Sequence, residues 1–349
     1  MSIYKLLLGA LLMFTQNIVA QNSIKILTEK KGISLRGLSL PSKKVIWASG
    51  SKGSVVRSVD GGNSFEWLQV KGYEQRDFRA IHAWNEQEAI IVAIAAPAYI
   101  LKTKNGGANW YKVYENADTA MFLDAIQFKD DTTGFVVGDP INNHIFLLTT
   151  NNKGENWTAI PNEYFKSKLK EGEAFFASSS SNIAQSNNNQ FLVTGGLASR
   201  LWINGEAMNI PIIQGKKSTG ANSIAISPNG NTMLIVGGDF AQDSLSTQNI
   251  VKLSRISAPK SNLKHYANKK ERWVINPAIS NPFGYKSCVS FLNNNLALVC
   301  GTSGIALSKN NGKTWQNISN MSFHVVKKQP NTKNAFFAGS GGKIGVAFF

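Results

Sequence analysis

A turn phrase that recurs four times, a four-strand pattern that recurs seven times and the lack of any helical period predict an all-β fold. The architecture they point to is a seven-bladed β-propeller of four-stranded blades, closed into a ring by an N-terminal strand. The turn phrase occupies 58–65, 103–110, 150–157 and 308–315 and reads Ser/Thr-x-Asp/Asn-x-Gly-x-x-Trp/Phe. In each copy an acidic or amide side chain (Asp60, Asn105, Asn152, Asn310) can fold onto nearby backbone N–H groups, while Gly supplies a positive φ. The aromatic returns on the next strand, where a flat ring can wedge between sheets. These four residues are assigned to structure.

Inner strands begin near Leu35, Phe78, Leu123, Glu173, Asn222, Lys286 and Phe323, and each is followed by short β-branched and aromatic runs such as Val45-Ile46-Trp47-Ala48 and Met233-Leu234-Ile235-Val236. The seventh unit stops at Phe349 after its third strand, and residues 23–27 can supply the fourth. Such closure removes an unpaired edge that would invite association. Two regions break the period. Residues 161–172 and the Ser/Asn-rich 178–190 read as polar loops, and 255–285 carries the basic run 260–272, with Arg272-Trp273-Val274 as an outer strand. Both read as surface insertions.

Residues 1–20 have the form of a secretory signal peptide: Lys5, an apolar run over 6–14 and a terminal Ala20. An uncleaved anchor is the alternative, but the run is short for a bilayer span, and no Cys follows it to carry a lipid. The expectation is an exported protein, periplasmic or extracellular, with 21–349 as one propeller domain, monomeric and without a transmembrane segment once the leader is removed. A chain 43% hydrophobic over 349 residues has ample material for such a core. Cys288 and Cys300 lie six residues either side of Asn294, so one hairpin sets them opposite each other, as a disulfide or as buried thiols. A formal charge of +16 favours acidic partners. Nucleic acid is not among those expected, since no motif for it is present and the leader directs export.

Alignment of the units brings polar residues to the entry of every inner strand: Arg36, Arg79, Asp124, Glu173, Asn222, Lys286 and His324. A second ring comes from the Gly-rich links between second and third strands, and includes Asp139, Asp239 and Lys343. In a propeller both rings belong to one face around the central channel. With Arg200, they give a mixed-charge face suited to a protein or an anionic glycan, in which arginines bind carboxylates bidentately. The bland alternative is a channel mouth whose charges neutralise one another, as Arg79 and Asp124 would. His82, His144, His265 and His324 have no metal-ligand spacing, and no nucleotide-binding or nucleophile-elbow motif is present, so neither metal nor cofactor is expected.

The turn phrase resembles the Asp-box (BNR) repeat of sialidases, sortilin-type receptors and photosystem II assembly-factor propellers. In those families the box lies on the rim, away from the functional face. From about residue 24 onward, the boxes and Gly-rich links resemble the photosystem II stability/assembly-factor family. That resemblance implies an exported, non-catalytic scaffold that binds a partner protein, with arginines on one face; Arg36 and Arg79 are the positions carried over. The fourth and fifth units lack clear boxes, and 255–285 has no counterpart in a minimal member. The alternative is a sialidase-like glycoside hydrolase acting on an acidic sugar. It would need Arg36, Arg79 and Arg200 around a carboxylate, Tyr285 beside Glu173 as nucleophile and base, and Asp124 or Asp139 as acid/base. The sialidase Arg-Ile-Pro signature is replaced here by Leu35-Arg36-Gly37-Leu38.

Overall fold

The computed structural model describes residues 24–186, 189–256, 272–276 and 278–349; the leader and the basic residues 260–270 lie outside them. Strand β1 (Lys25–Thr28) comes first. Then follow β2 (Leu35–Ser39), β3 (Ile46–Gly50), β4 (Ser54–Ser58) and β5 (Glu66–Gln69), and after them β6 (Phe78–Ala83), β7 (Ala89–Ala93), β8 (Ala98–Thr103) and β9 (Tyr111–Asn116). The third group is β10 (Leu123–Phe128), β11 (Gly134–Ile141), β12 (His144–Thr150) and β13 (Thr158–Ala159). The next two are β14 (Glu173–Ala174), β15 (Ile183–Ser186), β16 (Asn189–Gly196), β17 (Arg200–Ile203) and β18 (Glu206–Asn209), then β19 (Thr219–Ile226), β20 (Thr232–Asp239), β21 (Ile250–Ile256) and β22 (Arg272–Asn276). The chain finishes with β23 (Cys288–Phe291), β24 (Ala297–Gly301), β25 (Gly304–Ser308) and β26 (Gln316–Ser319), then β27 (Val325–Lys328), β28 (Asn334–Ala338) and β29 (Ile344–Phe348). Apart from one 3-10 turn at Asn162–Tyr164, every described element is a strand.

Five antiparallel four-stranded sheets result, together with one sheet of nine strands. In one four-stranded sheet the first strand joins the last three, in the order β1-β29-β28-β27, with Lys25 opposite Val346. The nine-stranded sheet is two sequence units fused through the single pair Gly195↔Gly220. Gly220 has φ +133°, and a Cβ there would stand 2.2 Å from the Gly195 Cα, so only glycine permits the fusion. Several second strands, such as Ile46–Gly50 and Ala89–Ala93, are buried along their whole length because neighbouring sheets cover both faces. That is why they read as continuous apolar runs instead of alternating. Burying each such Ile or Val is worth about 1.5–3 kcal/mol. The outer strands β5 and β9 alternate partly exposed residues and form the rim.

The four turns share one hydrogen-bond pattern. The Ser58, Thr103, Thr150 and Ser308 hydroxyls accept the N–H of Gly62, Gly107, Gly154 and Gly312 at 2.9, 3.0, 3.1 and 2.8 Å. Each hydroxyl donates to the side-chain oxygen of Asp60, Asn105, Asn152 or Asn310. That oxygen in turn accepts the N–H four residues on, from Ser64, Asn109, Asn156 or Thr314. The glycine faces the preceding sheet: a Cβ on Gly107 would meet Leu68 at 2.8 Å, and one on Gly312 would meet Leu234 at 2.4 Å. The closing rings pack between sheets, Trp110 edge-on to Trp47 at 6.4 Å and Trp157 edge-on to Phe128 at 6.1 Å.

The Ser-rich stretch departs from its reading as a surface loop. Residues 178–182 are buried and touch several sheets. Ser179 donates to the Ser287 carbonyl at 2.7 Å, Ser180 accepts the Ile126 N–H at 3.1 Å, and Ser181 donates to Ser223 at 2.7 Å. Short hydroxyl side chains satisfy buried backbone groups from several strands at little volume, so this stretch plugs the channel. The reading of 255–285 stands in part, since β22 pairs with β21 through Trp273↔Arg255. Cys288 faces Cys300 in register, and both are free, buried thiols.

Candidate binding face at the channel hub

The inner strands deliver side chains to the channel by a device that the sequence does not display. In β2, β6, β10 and β19 the register with the second strand slips by one residue, at Arg36, Arg79, Asp124 and Asn222 respectively. Each of these residues is therefore the extra residue of a β-bulge, freed from the ladder and re-aimed. Beside Arg36, Gly37 makes room: a Cβ there would come within 2.3 Å of the Ser49 hydroxyl.

Arg36 and Arg79 come together at the hub. The half-buried Arg36 guanidinium is held below its ordinary pKa by desolvation first and by Arg79 second. Its only hydrogen bond among the described residues is a long one, 3.4 Å, to the Ser178 carbonyl at the top of the plug. Arg79 is satisfied differently, by Asp77 at 2.8 Å. His324 feels both arginines; burial, then their charge, pushes its imidazole down to about 3, so it is neutral and paired with Ser340 at 2.9 Å. Tyr285 is pushed up to about 12 by burial and donates to Asn222 at 2.8 Å.

Asp124 is fully buried and neither carboxyl oxygen has a hydrogen-bond partner among the described residues. Burial first, then the nearby Asp139, raise its pKa well above the ordinary value, while Arg79 opposes them. Burial thus disfavours its charged form and weakens it as a counter-ion to the arginines. Asp139 is raised to about 6 by burial, against the Phe175 N–H that it accepts at 3.0 Å. Lys286 is buried, lowered to about 8 by desolvation, and donates to Ser303 at 2.8 Å and the Gly304 carbonyl at 3.0 Å. Ser303 and Ser340 both belong to the Gly-rich links, so the two predicted rings do meet.

Other predicted residues turn elsewhere. Glu173 and Arg200 are given to each other, with Arg200 Nε at 3.0 Å from both carboxylate oxygens and Nη2 also in contact. Trp202 Nε1 (3.1 Å), the Thr194 hydroxyl and the Lys170 N–H (2.9 Å) complete the carboxylate's shell, and the Glu173 side chain is 0% exposed. Asp239 accepts the Ala241 N–H at 3.0 Å and has Lys216 at 3.6 Å. Burial opposes its ionisation, but the Ser218 and Ala241 hydrogen bonds and Lys216 outweigh it and lower the pKa. Lys343 is half-buried in its link. The arrangement required for glycoside hydrolysis is therefore not assembled: Glu173 is enclosed with Arg200, and Tyr285 donates to Asn222 instead.

Three contributors escaped the sequence reading. Asp77 neutralises Arg79 from two residues upstream, just before β6 begins, and that short sequence spacing offered a usable signal. Ser178, which caps the plug, offered none. Phe240 is 50% exposed beside the hub and stacks edge-on with Phe176 at 5.9 Å and Tyr285 at 6.4 Å, adding an apolar shelf. Chemically, the face offers one guanidinium without a carboxylate, an aromatic shelf next to it, and neutralised groups around them. Among the described residues no group of three or more His, Cys, Asp or Glu gathers as metal ligands, and no helix is long and apolar enough to cross a membrane.

No family model and no curated protein matches the chain. Solved structures do. The fold is similar to "YCF48 bound to D1 peptide", at 15% identity and TM-score 0.59 over 92% of this chain and 95% of that one. It is likewise similar to YCF48 from Cyanidioschyzon merolae, at 15% identity and TM-score 0.60 over 93% of this chain and 99% of the other. The chain thus has a YCF48-like β-propeller fold.

Proposed function

We propose that this chain is an exported seven-bladed propeller, closed by its N-terminal strand and built on Asp-box turns, that acts as a non-catalytic scaffold binding an acidic protein segment at the hub. The single observation that carries the reading is Arg36: a half-buried guanidinium at a bulge, next to a second arginine, with no carboxylate at ion-pair distance among the described residues. A partly desolvated cation without an ion-pair partner is disfavoured, and a ligand carboxylate would relieve that cost with a charge-assisted bond. The exposed Phe240 beside it suits a protein segment better than a sugar. A peptide ligand on one solved neighbour, YCF48, is in keeping with this.

The test is fluorescence anisotropy with Asp/Glu-rich and Lys-rich peptides and an acidic glycan, on wild type and on Arg36→Glu, beside a sialoside turnover assay. Selective binding of acidic peptides, lost in Arg36→Glu, is expected. Equal binding in the variant, preference for the glycan, or sialoside turnover would each overturn the proposal.

A further inference from the structure

Further along the inner strands from the bulges, a half-open cavity of about 160 Å³ is lined partly by Ser180 of the serine stretch. Its polar lining comes from Ser39, His82, Gln127, Ser180, Lys327 and Lys328, and no Asp or Glu contributes to it. Lys327 makes no hydrogen bond or ion pair among the described residues. It lines the cavity, and its charge also lowers the pKa of His82 on β6 and of Cys288 on β23. His82 is stacked on Phe128 at 4.4 Å, and burial, then Lys327, push it down to about 4; it adds no charge of its own.

The hydroxyls are poised in one sense. Ser39 accepts the Ala83 N–H at 2.9 Å and Ser180 accepts the Ile126 N–H at 3.1 Å, so each spends acceptor capacity on backbone and keeps its O–H to donate. Gln127 directs its amide N–H to the Phe128 carbonyl at 3.0 Å. Apolar walls from Leu38, Ile81 and Ile126 strengthen electrostatics inside. At roughly 30 Å³ per water the space holds about five waters, enough for a compact ion and too little for a folded segment.

We infer that this cavity binds a small tetrahedral oxyanion of the phosphate or sulfate class, held by the Lys327 and Lys328 ammonium groups and by the O–H donors of Ser39 and Ser180. The inference does not rest on the hub. The plug separates the two ends, and the cavity holds cations with no counter-ion.

Isothermal titration of the full chain with inorganic phosphate and with sodium sulfate, against sodium chloride at equal ionic strength, tests it. Wild type and Lys327→Met, Ser39→Ala and Arg36→Met variants are compared, and thermal melts confirm folding. One saturable site is expected for phosphate and sulfate but not chloride. Affinity should fall about tenfold or more in Lys327→Met and more modestly in Ser39→Ala, and be unchanged in Arg36→Met. His82 ring resonances should shift as the site fills. No saturable binding, equal binding of chloride, undiminished affinity in folded Lys327→Met, or loss in Arg36→Met would each overturn the inference. If Lys327→Met fails to fold, the Ser39→Ala affinity and the His82 shift decide.

Discussion

At the hub end of the channel, cations sit among groups that have been silenced or paired. Arg79 has Asp77, burial disfavours the charged form of Asp124, His324 is neutral, and Arg36 has no carboxylate at ion-pair distance among the described residues. At the far end the same inner strands present lysines with no acidic residue among them. Bulges at Arg36, Arg79, Asp124 and Asn222 deliver the hub residues, whereas the far-end residues lie on or just past regular strand. The difference teaches that one strand can serve two electrostatic environments when a local register slip re-aims one end, and a hydroxyl-rich plug keeps the ends apart.

The largest expected effect comes from the hub's own wall. Glu173→Ala leaves the Arg200 guanidinium buried without a partner and should cost about 3–5 kcal/mol in denaturant unfolding. A loss under 1 kcal/mol would mean that this pair does not brace the hub. Next, Arg36→Glu should weaken acidic-peptide binding by about 30-fold or more while leaving sulfate binding intact. Equal loss at both ends would merge them into one field.

Acid titration sharpens the contrast further. Asp139 is raised in the folded protein to about 6 from an ordinary 3.8, so the folded state binds its proton more tightly than the unfolded state does. Its contribution to stability is therefore complete below about pH 4 and lost as the pH climbs to about 6, at no more than about 1.4 kcal/mol per pH unit. Asp139→Asn should flatten that part of the stability profile; an unchanged profile would remove Asp139 from the account. The smallest effect concerns the rim. Thr103→Ala removes a hydroxyl that serves both the Gly107 N–H and Asn105 and should cost about 1–2 kcal/mol, without altering either binding activity. Loss of peptide binding there would argue that rim and hub are coupled.

Much of the rim was readable beforehand because its causes are local. Ser58 to Ser64, like the three sister turns, closes its hydrogen bonds within seven residues, and the spacing of its residue types encodes them. The meeting of Cys288 with Cys300 followed from counting along a single hairpin. The candidate site was only half legible. That Arg36, Arg79 and Asp124 share an environment followed from aligned units, but that Asp124 is silenced and Arg79 answered depends on burial and on Asp77. Residues 178–182 misled, since serines that bond buried backbone carry the same letters as serines in water.

The amino-acid order by itself settled the strand-rich class, the recurring turns and the polar positions at each strand entry, because period, turn chemistry and hairpin counting act over a few residues. Tertiary structure alone decided which Arg keeps its charge exposed to a ligand, that Glu173 and Arg200 close on each other, and that a serine run divides the channel. Those outcomes depend on desolvation and on partners up to 142 residues away, as in the contact of Arg36 with Ser178. No local pattern can report distances that form only when the sheets assemble.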